Sequence, residues 1–309
     1  MSHQVSNIMK KNILYSAIIL FLAIFNSCDV IEGDYMIDGT TNSVDTTSVV
    51  KRVLIEDFTG HRCPNCPSAA AELEGIINTY GDRVIGIAIH PHSNFSIPNP
   101  LSSSQYTYDF RTEEGDNIDN IFQMASSGLP VGMVNRIGFD GNHQLSKDEW
   151  GEKVQTELEK EPIFKINLSS DFTTSSGNIS VEVEALTDLN NSYNIVVCLT
   201  ENNITEWQKD NNIDNQNYNH KHVLRKMLNS TFGESIGDNF NSGDIWTKNF
   251  NVNISELENQ NENYSLNTSF MGNGNCTGWI EDNIEAIAYI YDNSNYEIVQ
   301  VEKIHLKNN

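Results

Sequence analysis

The chain has 309 residues, 38% of them apolar, and a formal net charge of -23. So acidic a surface excludes nucleic acid and anionic membrane headgroups as electrostatic partners and reads as a solvated exterior. The length suffices for about two domains, each large enough to bury a core.

Residues 1–28 have the layout of a targeting segment. Lys10 and Lys11 form a basic region, and Ile13 to Phe25 is an apolar core too short for a membrane span. It ends in Phe25-Asn26-Ser27-Cys28, which resembles a bacterial lipobox. That resemblance implies a lipoprotein signal peptide, a lipid on Cys28 and attachment to a membrane through it. An ordinary signal peptide or membrane anchor with an incidental cysteine is the alternative. Residues 29–50 are poor in large apolar side chains and read as a flexible tether. Their acidic Asp29, Glu32 and Asp34 are similar to the surface-export signals of Bacteroidetes lipoproteins.

Residues 51–161 read as one α/β domain. Val53, Leu54 and Ile55 open a strand over 53–58 that is apolar on both faces and stops at Thr59-Gly60. Helical spacing follows over 67–80, with Leu73, Ile76, Ile77 and Tyr80 on one face, so Cys63 and Cys66 fall at a helix N-terminus. Free N–H groups and the positive end of the helix dipole stabilise a thiolate there, and Arg62, beside His61, is expected to add positive charge, the two modulating the pair. Cys63 is then the nucleophile and Cys66 the resolving thiol. A strand over 83–90 completes a β-α-β unit with parallel strands. His90 to Arg111, with Pro91, Pro98 and Pro100, reads as a long loop serving as a lid or recognition surface. A helix over 112–125, a strand over 131–135 and an amphipathic helix over 147–160 close the domain.

From Pro162 the apolar period changes to two. Seven strands are predicted, over 163–168, 179–185, 193–199, 245–252, 264–270, 284–291 and 298–305, and they suggest an antiparallel β-sandwich of immunoglobulin-like or jelly-roll type over 162–309. Cys198 sits in an apolar strand and Cys276 in an Asn/Gly-rich loop; a buried free Cys198 is the default, and a disulfide between them the alternative. His220 and His222 are read as packing or hydrogen-bonding residues.

Three spaced signals resemble thioredoxin. They are the pair Cys63 and Cys66, the acid Asp57 followed by Phe58 six residues ahead of the first cysteine, and Gly128-Leu129-Pro130-Val131, similar to the segment that carries the cis-proline. The resemblance implies that Asp57 lies beneath the pair and accepts the Cys66 proton, and that Pro130 is cis and shapes the cleft. Since the strand is apolar on both sides, desolvation should raise the Asp57 pKa; a core-facing Glu56 with Asp57 exposed is the alternative. Arg62 and Pro64-Asn65 depart from the thioredoxin pattern. Glu56-Asp57-Phe58-Thr59-Gly60 with Pro67, Pro130 to Arg136, Trp207-Gln208 and His220 to Arg225 resemble, over both halves of the chain, the Bacteroidetes lipoproteins named after a twenty-eight-kilodalton outer-membrane protein. That family joins a thioredoxin-like domain to a β-sandwich at the outer membrane.

For the cysteine pair three chemistries stand side by side: redox exchange, a structural bridge, and a metal or copper site completed by His61, His90 or His92. Redox is favoured, because Asp57 and Pro130 fit only that one. The expected function is a lipid-anchored thiol-disulfide oxidoreductase of the cell envelope, acting on protein disulfides or dithiols and needing no cofactor. The alternative is a surface binding or adhesion lipoprotein whose sandwich meets a partner and whose cysteine pair is vestigial or metal-handling.

Overall fold

The computed structural model describes residues 49–139, 141–268 and 271–307; Cys28, the leader and nearly all of the expected tether lie outside these residues. Strand β1 (Val53–Phe58) is buried along its whole length. Helix α1 (Cys66–Tyr80) connects it to the parallel strand β2 (Val84–Ile89), with Leu54 opposite Ile85. Helix α2 (Glu113–Phe122) begins where the Thr112 side chain accepts from the Gly115 N–H. Such a cap satisfies a backbone donor that the helix itself cannot. Strand β3 (Val131–Val134) runs antiparallel on the free side of β1. Helix α3 (Lys147–Leu158) starts at a capping box formed by Ser146 and Glu149. One face of these strands packs Val53 and Ile55 against Leu73, Ile76, Trp150 and Val154 of α1 and α3. The other packs Leu54, Phe58 and Ile87 against Ile118 and Phe122 of α2.

The second half is β-rich. Its strands are β4 (Phe164–Ser170), β5 (Ser176–Ala185), β6 (Leu189–Glu201), β7 (Ile204–Asp210), β8 (Ile213–His220) and β9 (Val223–Met227). Then come β10 (Glu234–Phe240), β11 (Ile245–Asn253), helix α4 (Ile254–Asn267), β12 (Ile284–Asp292) and β13 (Ile298–His305). Strands β11, β5 and β4 form a three-stranded antiparallel sheet, and β7 with β8 forms a separate hairpin. The remaining strands continue the sheet begun by β1 to β3, in the order β13-β12-β6-β9-β2-β1-β3, with β10 paired to the first part of β6. The seam is β2 against β9, where Ala88 pairs in parallel with Val223.

The expected free-standing sandwich is therefore corrected: two β layers do face each other, but one of them is this shared sheet. The alternation along β6 and β12 explains it. Ile195, Val197, Leu199, Ala286, Ala288 and Ile290 face the three-stranded sheet, while Val196, Cys198, Ile287 and Tyr289 join the core of Leu54 and Phe58. Strands apolar on both faces need a cover on both sides. The strand expected over 264–270 is also corrected, since Tyr264 to Asn267 end α4. The Asn253 side chain starts that helix by accepting from the Glu256 N–H.

The start of the described chain is bound to its last strand. Arg52 N–H donates to Gln300 Oε1 at 3.0 Å, Gln300 Nε2 to the Val50 carbonyl at 3.0 Å, and Arg52 pairs with Glu302 at 2.5 Å. Lys51 Nζ donates to the Val299 carbonyl alongside them.

Candidate functional site

Beyond β1 the chain turns through Thr59 to Arg62, and Cys66 is the first residue of α1, with Pro67 just inside the helix where a missing N–H costs nothing. Cys63 and Cys66 are joined as a disulfide. Cys63 Sγ lies 3.6 Å from the carbonyl oxygen of Leu129, and the Leu129–Pro130 peptide bond is cis. Gly60 is required by its neighbour: a Cβ there would stand 2.6 Å from the Phe95 carbonyl oxygen, which accepts from the Arg62 N–H at 2.9 Å.

Neither cysteine is open to solvent, with Cys63 0% and Cys66 1% exposed. Part of the cover is the β7–β8 hairpin, an element absent from the predicted strands. Gln208 Nε2 donates to the carbonyls of Gly60 at 3.2 Å and Cys63 at 3.0 Å. The Lys209 N–H donates to the His61 carbonyl at 2.7 Å, and the Asn211 N–H to the Pro64 carbonyl at 2.8 Å. Four carbonyls of the cysteine loop are thus held by one hairpin. Ile204, Thr205 and Trp207 are β-formers, and Asn211-Asn212 separates the two strands with Asn211 at φ 51°. That turn was the signal available in the sequence.

Asp57 and Glu56 point to opposite faces of β1 and both are buried. Glu56 is held by Arg136, whose Nε and Nη2 donate at 2.8 and 2.6 Å, and Arg136 also donates to the Tyr289 hydroxyl. Asp57 has no such cation; its Oδ1 has no hydrogen-bond partner among the described residues, and burial pushes its carboxyl from 3.8 up to about 7. It lines a cavity of about 310 Å³ together with Cys66, Ala70, His90, Tyr218 and His220. Glu74, Lys221 and His222 also line it, and Glu74 pairs with both of the others. Asp57 and Cys66 thus line one cavity, and Pro130 follows the carbonyl beside Cys63.

The other expected residues divide. His61 is fully buried between Tyr106 and Phe110, and burial holds its imidazole well below the usual range, so it brings no charge to the pair. Arg62 is exposed and donates to the Ile97 carbonyl. His90 stacks on Phe110 at 4.7 Å between ring centroids. His92 lies outside the cavity, its N–H donating to Asp116 and its ring 3.4 Å from Arg111. Among the described residues no three His, Cys, Asp or Glu side chains are grouped to hold a metal ion. Cys198 and Cys276 are buried and free, so they do not pair. The 90–111 segment is a loop, but Tyr106, Tyr108 and Phe110 anchor it in the interior.

Residues 117–277 match the family of outer membrane protein Omp28. No curated protein matches the chain. Among solved structures, HBP35 of Porphyromonas gingivalis aligns with a TM-score of 0.58 at 15% identity, covering 84% of this chain and 76% of its own, a likeness of fold. A protein of Agrobacterium tumefaciens aligns with a TM-score of 0.48 at 12% identity, over 85% of this chain and 97% of its own. A domain of the outer membrane lipoprotein Omp28 from Porphyromonas gingivalis gives 0.29 at 16% identity, over 47% and 89%.

Proposed function

This chain belongs to the Omp28 family of outer membrane proteins, and on that footing we propose that it is a thiol-disulfide oxidoreductase of the outer membrane, working through Cys63 and Cys66. Its α/β half is then a thioredoxin-like domain whose sheet the β-rich half extends, and a lipid on Cys28 holds the protein at the membrane. The observation that carries the reading is the buried carboxyl of Asp57 in the cavity that Cys66 lines. A disulfide that only staples the chain needs no acid beside it, and an unpartnered carboxyl in the interior costs stability.

In the reaction, the Cys63 thiolate attacks a protein disulfide, one substrate sulfur leaves as a thiolate, and a mixed disulfide forms on Cys63. Cys66 then gives its proton to Asp57 and attacks the Cys63 sulfur, releasing the second substrate thiolate and restoring the Cys63–Cys66 bond. The helix N-terminus stabilises the Cys63 thiolate. Since the hairpin closes the loop that carries Cys63, a protein substrate reaches that sulfur only after β7–β8 moves off.

Cys66→Ser should therefore accumulate a mixed disulfide with insulin, seen by mass spectrometry. Asp57→Asn should slow resolution about tenfold or more in single-turnover kinetics, with less effect on the first attack. An unchanged resolution rate would remove Asp57 from the mechanism, and no insulin reduction by the wild type would remove the enzyme reading. The full burial of both cysteines favours a second reading, a surface binding protein in which the bridge is structural. It predicts a pair that stays oxidised in the presence of dithiothreitol.

A further inference from the structure

The cavity beside the disulfide is lined by polar atoms that the chain itself leaves unpaired. Asp57 Oδ1, both ring nitrogens of His90 and Nε2 of His220 lack partners among the described residues. Their residues are 1, 3 and 5% exposed. Buried polar atoms are rarely left so, and several in one cavity point to something that binds there. The walls are apolar, from Ala70, Leu73, Ala88 and Val223. Cys66 forms part of the wall and Cys63 does not.

Resting on the redox reading above, we propose that this cavity admits a small uncharged thiol, which reduces the disulfide by attacking Cys66 instead of Cys63. The loop that carries Cys63 is closed off by Gln208, Lys209 and Asn211, so the route from the cavity ends on the other sulfur. Charge selects the reductant. Burial keeps His90 and His220 neutral, and Lys221 and His222 are already paired with Glu74. An anionic thiol would lose its hydration, meet no unpaired cation among the described lining residues and face the Asp57 carboxylate. In the step, the thiol gives its proton to the Asp57 carboxylate and its sulfur attacks Cys66 Sγ. The Cys63–Cys66 bond breaks, a mixed disulfide forms on Cys66, and Cys63 leaves as a thiolate. A second thiol gives its proton to the Cys63 thiolate and attacks the mixed disulfide at the first thiol's sulfur. Cys66 leaves and takes up the proton held by Asp57, so that two thiols are oxidised to one disulfide and the pair gains two electrons.

The test uses the full chain and two thiols of similar size, uncharged 2-mercaptoethanol and anionic 2-mercaptoethanesulfonate. Reduction should be at least about tenfold faster with the uncharged one, beyond their difference with a small-molecule disulfide. Ala70→Leu, which fills the cavity from a helical position, should slow reduction by 2-mercaptoethanol about tenfold. Access is read separately from redox activity by iodoacetamide alkylation mapped by mass spectrometry. Ala70→Leu should protect Cys66 in the Cys63→Ser background and leave Cys63 in the Cys66→Ser background unchanged. Equal rates for the two thiols, or no protection of Cys66 by Ala70→Leu, would overturn the proposal. If Cys66 is protected as expected but neither thiol reduces the wild type, the redox reading fails while the route to Cys66 stands.

Discussion

Asp57 and Glu56 are neighbours on one strand, yet only one of them has a counter-ion, and their substitutions should behave oppositely. The folded Asp57 keeps its proton up to about pH 7, whereas an unfolded one releases it near 3.8. Burial of this side chain is therefore without ionic cost below pH 3.8, stability falls as pH rises between those values, and the full penalty stands above pH 7. A displacement of that size corresponds to about 4 kcal/mol. Asp57→Ala should accordingly stabilise the protein at pH 8 by a few kcal/mol at most, with the gain vanishing toward pH 4, as urea unfolding across pH would measure. Arg136→Met should do the reverse, leaving the Glu56 carboxylate buried without its partner at a cost of about 3–5 kcal/mol. Adding Glu56→Leu should recover most of that loss. A double variant no more stable than Arg136→Met would mean that the cation matters more for its packing over Phe122 and Tyr289 than for its charge.

Among the elements, the hairpin carries the strongest expectation. Gln208→Ala removes the donor from the Gly60 and Cys63 carbonyls, and should destabilise by about 1–3 kcal/mol and speed hydrogen exchange at the Lys209 and Asn211 amides. Unchanged exchange there would mean that the backbone contacts hold the hairpin unaided. This element also marks where the sequence stopped being legible. The α/β elements could be read because Val53 to Ile55 and Val84 to Ile89 are apolar runs and α1 keeps a helical period. The hairpin was missed because β8, Ile213–His220, is Asn-rich and mostly exposed, so it lacks the apolar face that marks a strand. The end of α4 was misread because Tyr264, Leu266 and Phe270 are spaced by even numbers, while the Asn253 cap that starts the helix lies eleven residues earlier. For the site, Cys63, Cys66, Asp57 and Pro130 were legible from their order. The cavity was not, because it exists only where β8 and β9, distant in sequence, come against α1.

At the scale of the molecule, the shared sheet joins the two halves into one unit spanning Val49–Asn309. Unfolding should be a single transition, coincident for a variant keeping only Trp150 as its tryptophan and one keeping only Trp279. A fragment ending at residue 161 should fail to fold, because it would expose the face of Leu54, Phe58 and Ile87 that β6, β9 and β12 help to cover. Two separate transitions, or a cooperatively folding fragment, would contradict the joint core. The bonds between residues 50–52 and β13 bear on force. They grip the chain at the start of β1, whereas the cysteines follow its far end, about 20 Å away along a six-residue strand. A pull on the segment ahead of residue 49 is taken up first by Lys51, Arg52, Gln300 and Glu302, and the load is shared with β13 before it travels along β1. The sulfur pair sits downstream of that grip, so drag on the chain ahead of residue 49 leaves its geometry undisturbed until those bonds give way.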